Sequence, residues 1–126
     1  MRCCQPAVPA HAGRALTSIT CCSFKGLPEP VDQDKNGTGI VGKTGDFSTA
    51  RSAFESNVAA ANISRVSERM RVLEGWFNES LPGAPIEAIS FLRLDGDLYV
   101  STRDPLEALY DKVSPGGAIY VDDYGR

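Results

Sequence analysis

Short apolar runs separated by polar and glycine-rich stretches recur along the chain and predict β-strands. Four runs have this character: residues 16–22, 70–73, 89–94 and 118–121. Residues 25–46 are rich in Gly, Pro, Asp and Asn, and this composition predicts one long loop. Residues 1–15 show no periodicity and contain two prolines, so an irregular or disordered tail is expected there.

Apolar side chains at helical spacing predict two helices among these strands. The first begins near Ser48, a residue type that favours the N-cap position, and ends near Asn62. The second covers residues 102–113, with Asp104 as its cap and Pro105 in its first turn. Strands that alternate with helices pair in parallel through right-handed crossovers, so the sequence predicts an α/β fold over residues 16–126.

The composition of the chain is typical of a globular domain and excludes some classes of partner. Hydrophobic residues make up 42% of the 126 residues and charged residues 23%, as in ordinary soluble globular domains. The net charge is −3 and no dense Lys/Arg cluster is present, so nucleic acid is not a predicted partner. No apolar run approaches the roughly 20 residues that cross a bilayer, so no membrane partner is predicted either. Oligomeric state stays open.

The cysteines and the N-terminal segment without acidic residues bear on the cellular compartment of the protein. Cys3–Cys4 and Cys21–Cys22 are adjacent pairs without metal-ligand spacing, which predicts reduced thiols rather than a zinc site or a disulfide framework. Cytoplasm is therefore the default expectation. No acid precedes Glu29, and an acid-poor start with arginines is also typical of an organelle transit peptide, which keeps that alternative open.

Acidic side chains follow two of the predicted strands. Asp95 and Asp97 come after residues 89–94, and Asp122 and Asp123 after residues 118–121. Ligands bind beyond the carboxyl ends of parallel strands, and four carboxylates gathered there would repel one another unless they shared a cation. With no His or Cys nearby, Mg²⁺ suits such a site better than zinc. Alternatively, these are ordinary loop acids and helix caps, and the pattern alone does not decide.

Several motifs resemble one family in the same order along the chain. The segment Ile89-Ser-Phe-Leu-Arg-Leu-Asp-Gly-Asp97, extended to residue 102, and residues 109–125 resemble the macrocin O-methyltransferase family, whose members methylate sugar hydroxyls. Upstream residues 23–30, 42–48 and 73–82 are similar to the same family. The resemblance implies a partial Rossmann-like class I methyltransferase catalytic domain, with parallel strands and crossover helices, over residues 16–126.

The resemblance also implies roles for individual residues. Asp95, Asp122 and Asp123 match the metal ligands of the family, and Asp97 matches the carboxylate proposed as general base. A bound Mg²⁺ would lower the pKa of the acceptor hydroxyl, and Asp97 would take its proton as the oxygen attacks the methyl group of S-adenosylmethionine.

Three further residues fall where the family lines its cofactor pocket: Ser23, Gly75 and Trp76. For Trp76, packing in the core is an equal alternative. The predicted partner is a small-molecule hydroxyl acceptor. The predicted function is methyl transfer to a hydroxyl of a sugar or similar molecule. The alternative is a non-catalytic, metal-binding remnant of such an enzyme.

The chain also departs from the family pattern. The family has an earlier strand with a glycine-containing turn, which residues 1–15 do not reproduce, and further strands are expected beyond Arg126. Cys22 stands where the family usually has an acid for the ribose hydroxyls. We therefore expect a fragment truncated at both ends, with open strand edges at the centre of its sheet and marginal stability.

Residues 37–44 satisfy the phosphate-binding pattern G-x-x-x-x-G-K-T. That loop needs a strand before it and a helix that begins at its Lys-Thr pair. Neither is predicted here, so ATP or GTP binding is not expected.

Overall fold

A computed structural model describes residues 5–7, 17–36, 42–61 and 68–122. These residues form five strands: β1 Gln5–Ala7, β2 Ser18–Cys22, β3 Met70–Glu74, β4 Ile89–Leu94 and β5 Val113–Val121. They also form three α-helices: α1 Arg51–Ala60, α2 Phe77–Ser80 and α3 Tyr99–Leu109. Single 3₁₀ turns lie at Asp32–Asn36 and Tyr110–Lys112.

The strands form one sheet in the order β3-β2-β1-β4-β5. β2 pairs in parallel with β3, and β4 with β5, while β1 runs antiparallel to both of its neighbours. The four outer strands therefore point the same way and end at one edge of the sheet. This arrangement confirms the predicted α/β fold with parallel strands.

The centre of the sheet corrects one expectation. Gln5–Ala7 was assigned to an irregular tail, but it forms β1, with Gln5 opposite Arg93 and Ala7 opposite both Phe91 and Ser18. The rest of residues 1–15 lies outside the described residues. The central strand edges that we expected to be open are thus paired in part, at three residues of β4 and at one residue of β2.

One face of the sheet carries the main core. Leu92 and Leu94 of β4 and Cys21 of β2 pack with Leu81 and with Leu109 of α3, and all five are almost completely buried. Strand alternation turns the intervening side chains to the opposite face. Cys21 and Cys22 are both buried, and the Cys22 Sγ accepts from the Phe24 N–H at 3.4 Å.

The opposite face is covered unevenly. Over the β2–β3 half, Phe54 of α1 packs against Phe24, Cys22 and Val72, and its ring centroid lies 5.9 Å from that of Phe24. Over the β4–β5 half, Phe91 and Tyr120 remain 42% and 48% exposed. Arg93 and Tyr120 are register partners on that uncovered face.

Both predicted helices begin at other residues than expected. Ser48 does not cap α1: its N–H donates to the Gly45 carbonyl within a turn, and the helix begins at Arg51. α3 begins at Tyr99 rather than 102, so Pro105 lies inside the helix and Asp104 is not its cap.

A distant carboxylate caps the start of α3. The Tyr99 N–H donates to Asp34 Oδ1 at 2.7 Å, and Asp34 Oδ2 accepts from the Val31 N–H at 2.8 Å. Sequence spacing does not reveal a cap that is supplied by a loop 65 residues away. Asp34 thereby joins the segment after β2 to the helix after β4.

β5 is longer than predicted. Ile89 pairs with Val113 and Phe91 with Ala118, so residues 114–117 form an irregularity opposite Ser90. Gly116 there has φ +82°.

The phosphate-loop pattern lacks its structural context. Residues 37–41 lie outside the described residues, residues 44–47 form a turn, and the next helix begins only at Arg51. Within the described segments, no helix combines the length and the apolar character needed to span a membrane.

Candidate functional site

A cleft of about 570 Å³, partly open to solvent, lies at the edge of the sheet where β2, β3 and β4 end. Its walls are formed by Cys22, Ser23, Phe24, Gly26, Leu27, Pro28, Phe47, Thr49, Gly75, Trp76, Phe77, Asp95, Gly96, Asp97 and Ser101. Five of the predicted site residues therefore share one cleft: Ser23, Gly75, Trp76, Asp95 and Asp97.

The first wall is the tight turn that follows β2. The Ser23 hydroxyl accepts from the Lys25 N–H at 3.1 Å and donates to the Gly26 carbonyl at 3.4 Å. Phe24 and Gly26 both have positive φ, +58° and +83°. A Cβ on Gly26 would lie 2.4 Å from the Asp46 carbonyl oxygen, so only glycine fits there. Ser23 thus shapes the turn as well as facing the cleft.

The outer part of this wall comes from the predicted loop, which is locally ordered. The Leu27 N–H donates to the Asp46 carbonyl, and the Gly45 N–H donates to the Leu27 carbonyl, both at 2.9 Å. The Thr49 N–H reaches the Phe24 carbonyl at 3.3 Å. These backbone bonds hold residues 42–49 against the turn after β2, and thereby place Phe47 and Thr49 in the cleft wall.

The second wall follows β3. The Gly75 N–H donates to the Cys22 carbonyl at 3.1 Å, which joins the ends of β2 and β3. Trp76 then precedes α2 and is half-buried, outside the buried core clusters. The Lys25 ammonium lies 5.9 Å from the centroid of its ring. Trp76 thus lines the cleft, and its role in cofactor binding stays a prediction.

The third wall is acidic. Asp95 is only 6% exposed, whereas Asp97 is exposed at the cleft. Between them, Gly96 lies so close to α3 that a Cβ would meet the Ser101 Cβ at 2.7 Å. The Thr102 hydroxyl donates to the Gly96 carbonyl at 3.3 Å. The first turn of α3 therefore holds the loop that carries both carboxylates.

Asp122, at the end of β5, does not line the cleft but meets Asp95 beside it. The Asp122 N–H donates to the Leu94 carbonyl at 2.8 Å, which keeps the ends of β4 and β5 together. The Nη2 atom of Arg93 lies 2.9 Å from Asp95 Oδ2 and 2.6 Å from Asp122 Oδ2. The two acids are thus close enough to share one cation, which in this structure is an arginine.

Arg93 is a site residue that the sequence analysis missed. Burial lowers its pKa, but the carboxylates of Asp95 and Asp122 outweigh this effect and raise the pKa above its usual value. Its guanidinium also lies 6.0 Å from the Tyr120 ring centroid. The available signal was its position two residues before Asp95, which strand alternation places on the same face.

The donor set fits a hard cation only in part. Asp95 and Asp122 supply carboxylate oxygens, the ligands that Mg²⁺ prefers. Over the residues that the structure describes, no group of three or more His, Cys, Asp or Glu side chains is arranged to hold a metal. Asp123, the third predicted ligand, lies outside those residues.

Comparison with known sequences decides the family. The sequence profile described as Macrocin-O-methyltransferase (TylF) matches residues 6–126, nearly the whole chain. The chain belongs to this family. The resemblance that was stated from the motifs is thereby confirmed.

Curated relatives of this TylF-family chain are O-methyltransferases. It is 40% identical over 124 residues to demethyldecarbamoylnovobiocin O-methyltransferase of Streptomyces niveus. It is 33% identical over 121 residues to mycinamicin III 3''-O-methyltransferase of Micromonospora griseorubida. Each match covers 91% of this chain but only 44% and 46% of the relative. The chain therefore spans less than half the length of these curated relatives.

Solved structures give the same fold. The O-methyltransferase NovP superposes with a TM-score of 0.67 at 36% identity, over 84% of this chain and 44% of NovP. The calicheamicin methyltransferase CalS11 superposes with a TM-score of 0.68 at 24% identity, over 86% of this chain and 46% of CalS11, a likeness that concerns the fold alone. The partial Rossmann-like methyltransferase fold predicted from the sequence is confirmed.

Proposed function

We propose that this chain carries the cofactor- and metal-binding part of an enzyme that transfers a methyl group from S-adenosylmethionine to a hydroxyl of a sugar or similar small molecule. The observation that carries the proposal is the shared cleft, in which Ser23, Gly75 and Trp76 face Asp95 and Asp97. The names of the relatives, which include a 3''-O-methyltransferase, support a sugar-type acceptor.

The two walls after β2 and β3 would hold the cofactor. Gly26 and Gly75 contribute backbone without side chains to this part of the cleft, and Trp76 offers a flat apolar surface to an aromatic base. Cys22 fits the cofactor less well. Its thiol is a weak partner for a ribose diol, so we expect lower affinity than an acid at this position would give.

The acidic wall would serve the acceptor. Asp95 and Asp122, with Asp123, would hold Mg²⁺, which when bound lowers the pKa of a neighbouring hydroxyl. Asp97, which is exposed at the cleft, would accept the hydroxyl proton. S-adenosylmethionine would supply the methyl group, leaving as a neutral thioether, while Asp97 would take the proton of the attacking hydroxyl. Holding donor and acceptor in contact in the cleft would provide most of the remaining acceleration.

Calorimetry with S-adenosylhomocysteine, with and without Mg²⁺, tests this function without knowledge of the acceptor. We expect each ligand to strengthen binding of the other, because both occupy one edge of the sheet. Asp95→Asn should remove this coupling, whereas Asp111→Asn, in the exposed 3₁₀ turn after α3, should preserve it. Cys22→Asp should bind the cofactor product more tightly than the wild type does. Failure of both wild type and Cys22→Asp to bind it would contradict the proposal.

A metal-binding remnant without cofactor binding is the second candidate. The neutral thiol of Cys22 in the cleft favours it. Mg²⁺ binding that Asp95→Asn abolishes, together with no detectable binding of S-adenosylhomocysteine, would support this remnant over the enzyme.

A further inference from the structure

Arg93 lies where two acids need a positive charge. One nitrogen of its guanidinium contacts a carboxylate oxygen of Asp95 at 2.9 Å and of Asp122 at 2.6 Å. Asp95 is nearly buried, so its charge is poorly compensated by water. The shared arginine thus supplies positive charge to both carboxylates in this structure.

The same oxygens are the ones that a divalent ion would use. An ion bound by both carboxylates would take up the space between them, and the Arg93 nitrogen already contacts both. A guanidinium and Mg²⁺ cannot occupy that space together, because their positive charges repel at such short distance. Binding of one therefore requires that the other leave.

We infer that Arg93 is a built-in competitor of the divalent ion: it neutralises Asp95 and Asp122 until the ion displaces its guanidinium. This inference rests on the proposed function, because it assigns the ion to those two acids. Arg93 acts as a positioning residue, since it keeps the two carboxylates together in the ion-free protein.

Arg93 is able to leave without unfolding the site. Its side chain is 33% exposed and lies on the uncovered face of the sheet beside the Tyr120 ring. A long side chain at such a position can move its charged group to solvent, or over the aromatic ring, while its stem stays in place. The apparent affinity for the ion then equals its intrinsic affinity multiplied by the fraction of ion-free molecules in which the guanidinium has moved away.

Mn²⁺ titration followed by electron paramagnetic resonance, in the absence of cofactor, tests the inference on the full chain. Arg93→Gln should bind Mn²⁺ on the order of tenfold more tightly than the wild type, because no cation has to be displaced. The matched control is Arg103→Gln. Arg103 also contacts an aspartate at 2.6 Å and lies 5.7 Å from a tyrosine ring centroid, but it belongs to α3 and its acid partners, Asp104 and Glu107, are on the same helix. The Arg103→Gln variant should therefore have the same Mn²⁺ affinity as the wild type.

The possible results separate this inference from the proposed function. Equal or weaker Mn²⁺ binding by Arg93→Gln would overturn the inference, because the arginine would then merely orient the ligands. That result would leave the coupled binding of Mg²⁺ and S-adenosylhomocysteine by the wild type untouched. Absence of Mn²⁺ binding by every variant would overturn both the inference and the metal-dependent part of the function.

A measurement on the wild type covers the case in which Arg93→Gln does not fold. In protein with isotope-labelled arginine, the Arg93 guanidinium should rotate slowly about its Cζ–Nε bond while two carboxylates hold it. Saturation with Mg²⁺ should make this rotation fast, as the group moves into solvent. A guanidinium that stays locked in the Mg²⁺-bound protein would overturn the inference independently of any variant.

Discussion

The two halves of the sheet on either side of β1 build their parts of the cleft in different ways. The β2–β3 half uses backbone shape, with positive φ at Phe24, Gly26 and Gly75 and main-chain bonds between its turns. The β4–β5 half uses charge, with Arg93 between Asp95 and Asp122.

This difference determines how each half should respond to change. A wall made of backbone is sensitive to any added atom at its glycines and insensitive to ions. A cluster of carboxylates tolerates changes in the shape of the backbone but requires a counter-charge, so its stability should respond to divalent cations. The following predictions separate shape from charge, and also test the connection between the halves.

The largest effect is expected at Gly26. Gly26→Ala should lower the free energy of unfolding by about 3 kcal/mol or more, because it adds both a strained φ and a Cβ 2.4 Å from the Asp46 carbonyl oxygen. Urea denaturation measures this loss. Gly116 in β5 is the matched control, since it has nearly the same φ, +82°, with nothing within 4 Å of its Cβ position. Gly116→Ala should cost only about 1–2 kcal/mol. Equal losses would show that crowding at Gly26 does not matter.

A smaller effect is expected at Asp34, which joins the two halves. Asp34→Ala removes the acceptor for the N–H groups of Val31 and Tyr99, and should cost about 1–2 kcal/mol of unfolding free energy. Asp34→Asn should cost roughly half as much, because its amide retains one acceptor oxygen. Amide hydrogen exchange of Tyr99 should accelerate in both variants.

The control for Asp34 lies in the same 3₁₀ turn. Asp32 is exposed and, among the residues that the structure describes, pairs only with Lys35, so Asp32→Ala should leave stability and Tyr99 exchange unchanged. Unaltered Tyr99 exchange in Asp34→Ala would mean that the cap does not form in solution.

The third effect is a pH response in the β2–β3 half, which is absent at neutral pH and develops only in alkaline solution. Burial, followed by the neighbouring Cys22, raises the pKa of the Cys21 thiol from 9.0 to about 12. The folded state therefore holds the Cys21 proton to a higher pH than the unfolded state does. The contribution of the protonated thiol to the free energy of unfolding is complete below pH 9 and is lost as the pH rises toward 12. The slope should reach at most about 1.4 kcal/mol per pH unit.

Denaturation at several pH values between 8 and about 11 measures this slope. Cys21→Ala lacks the thiol and should show a shallower decline than the wild type, whatever its stability at neutral pH. Parallel declines would place the alkaline sensitivity elsewhere, since all other titrating groups are common to both proteins.

Elements with their own apolar pattern could be predicted from the sequence. β4 has the predicted bounds, and β2 and β3 differ from prediction by one or two residues at an end. β2 and β4 carry buried apolar side chains, and those of β3 are half-buried, so each of these strands leaves a short apolar run in the sequence. β1 could not be found in this way, because its three residues are ordered by the strands beside them rather than by a pattern of their own.

The residue at which α3 begins depends on a contact with a distant part of the chain. α3 begins three residues earlier than predicted because Asp34, far away in sequence, caps it. A local cap such as Asp104 satisfied the sequence rules equally well, so spacing could not distinguish the two.

The candidate site, too, could be predicted from the sequence only in part. Acids at the ends of parallel strands indicated where the cleft lies, because strand direction alone brings those ends together. The counter-charge was not foreseen, since a single arginine within a strand is usually a solvated side chain. The roles assigned to Ser23, Gly75, Trp76, Asp95, Asp97, Asp122 and Asp123 stay predictions until binding is measured.

Trp76 has one practical consequence. It is the single tryptophan of the sequence, and it lies in the wall of the cleft with the Lys25 ammonium 5.9 Å from its ring. The tryptophan fluorescence of the protein, excited selectively beyond the tyrosine absorption, therefore arises from the cleft itself. An aromatic ligand that enters will quench or shift this emission, which makes the unlabelled chain its own optical sensor.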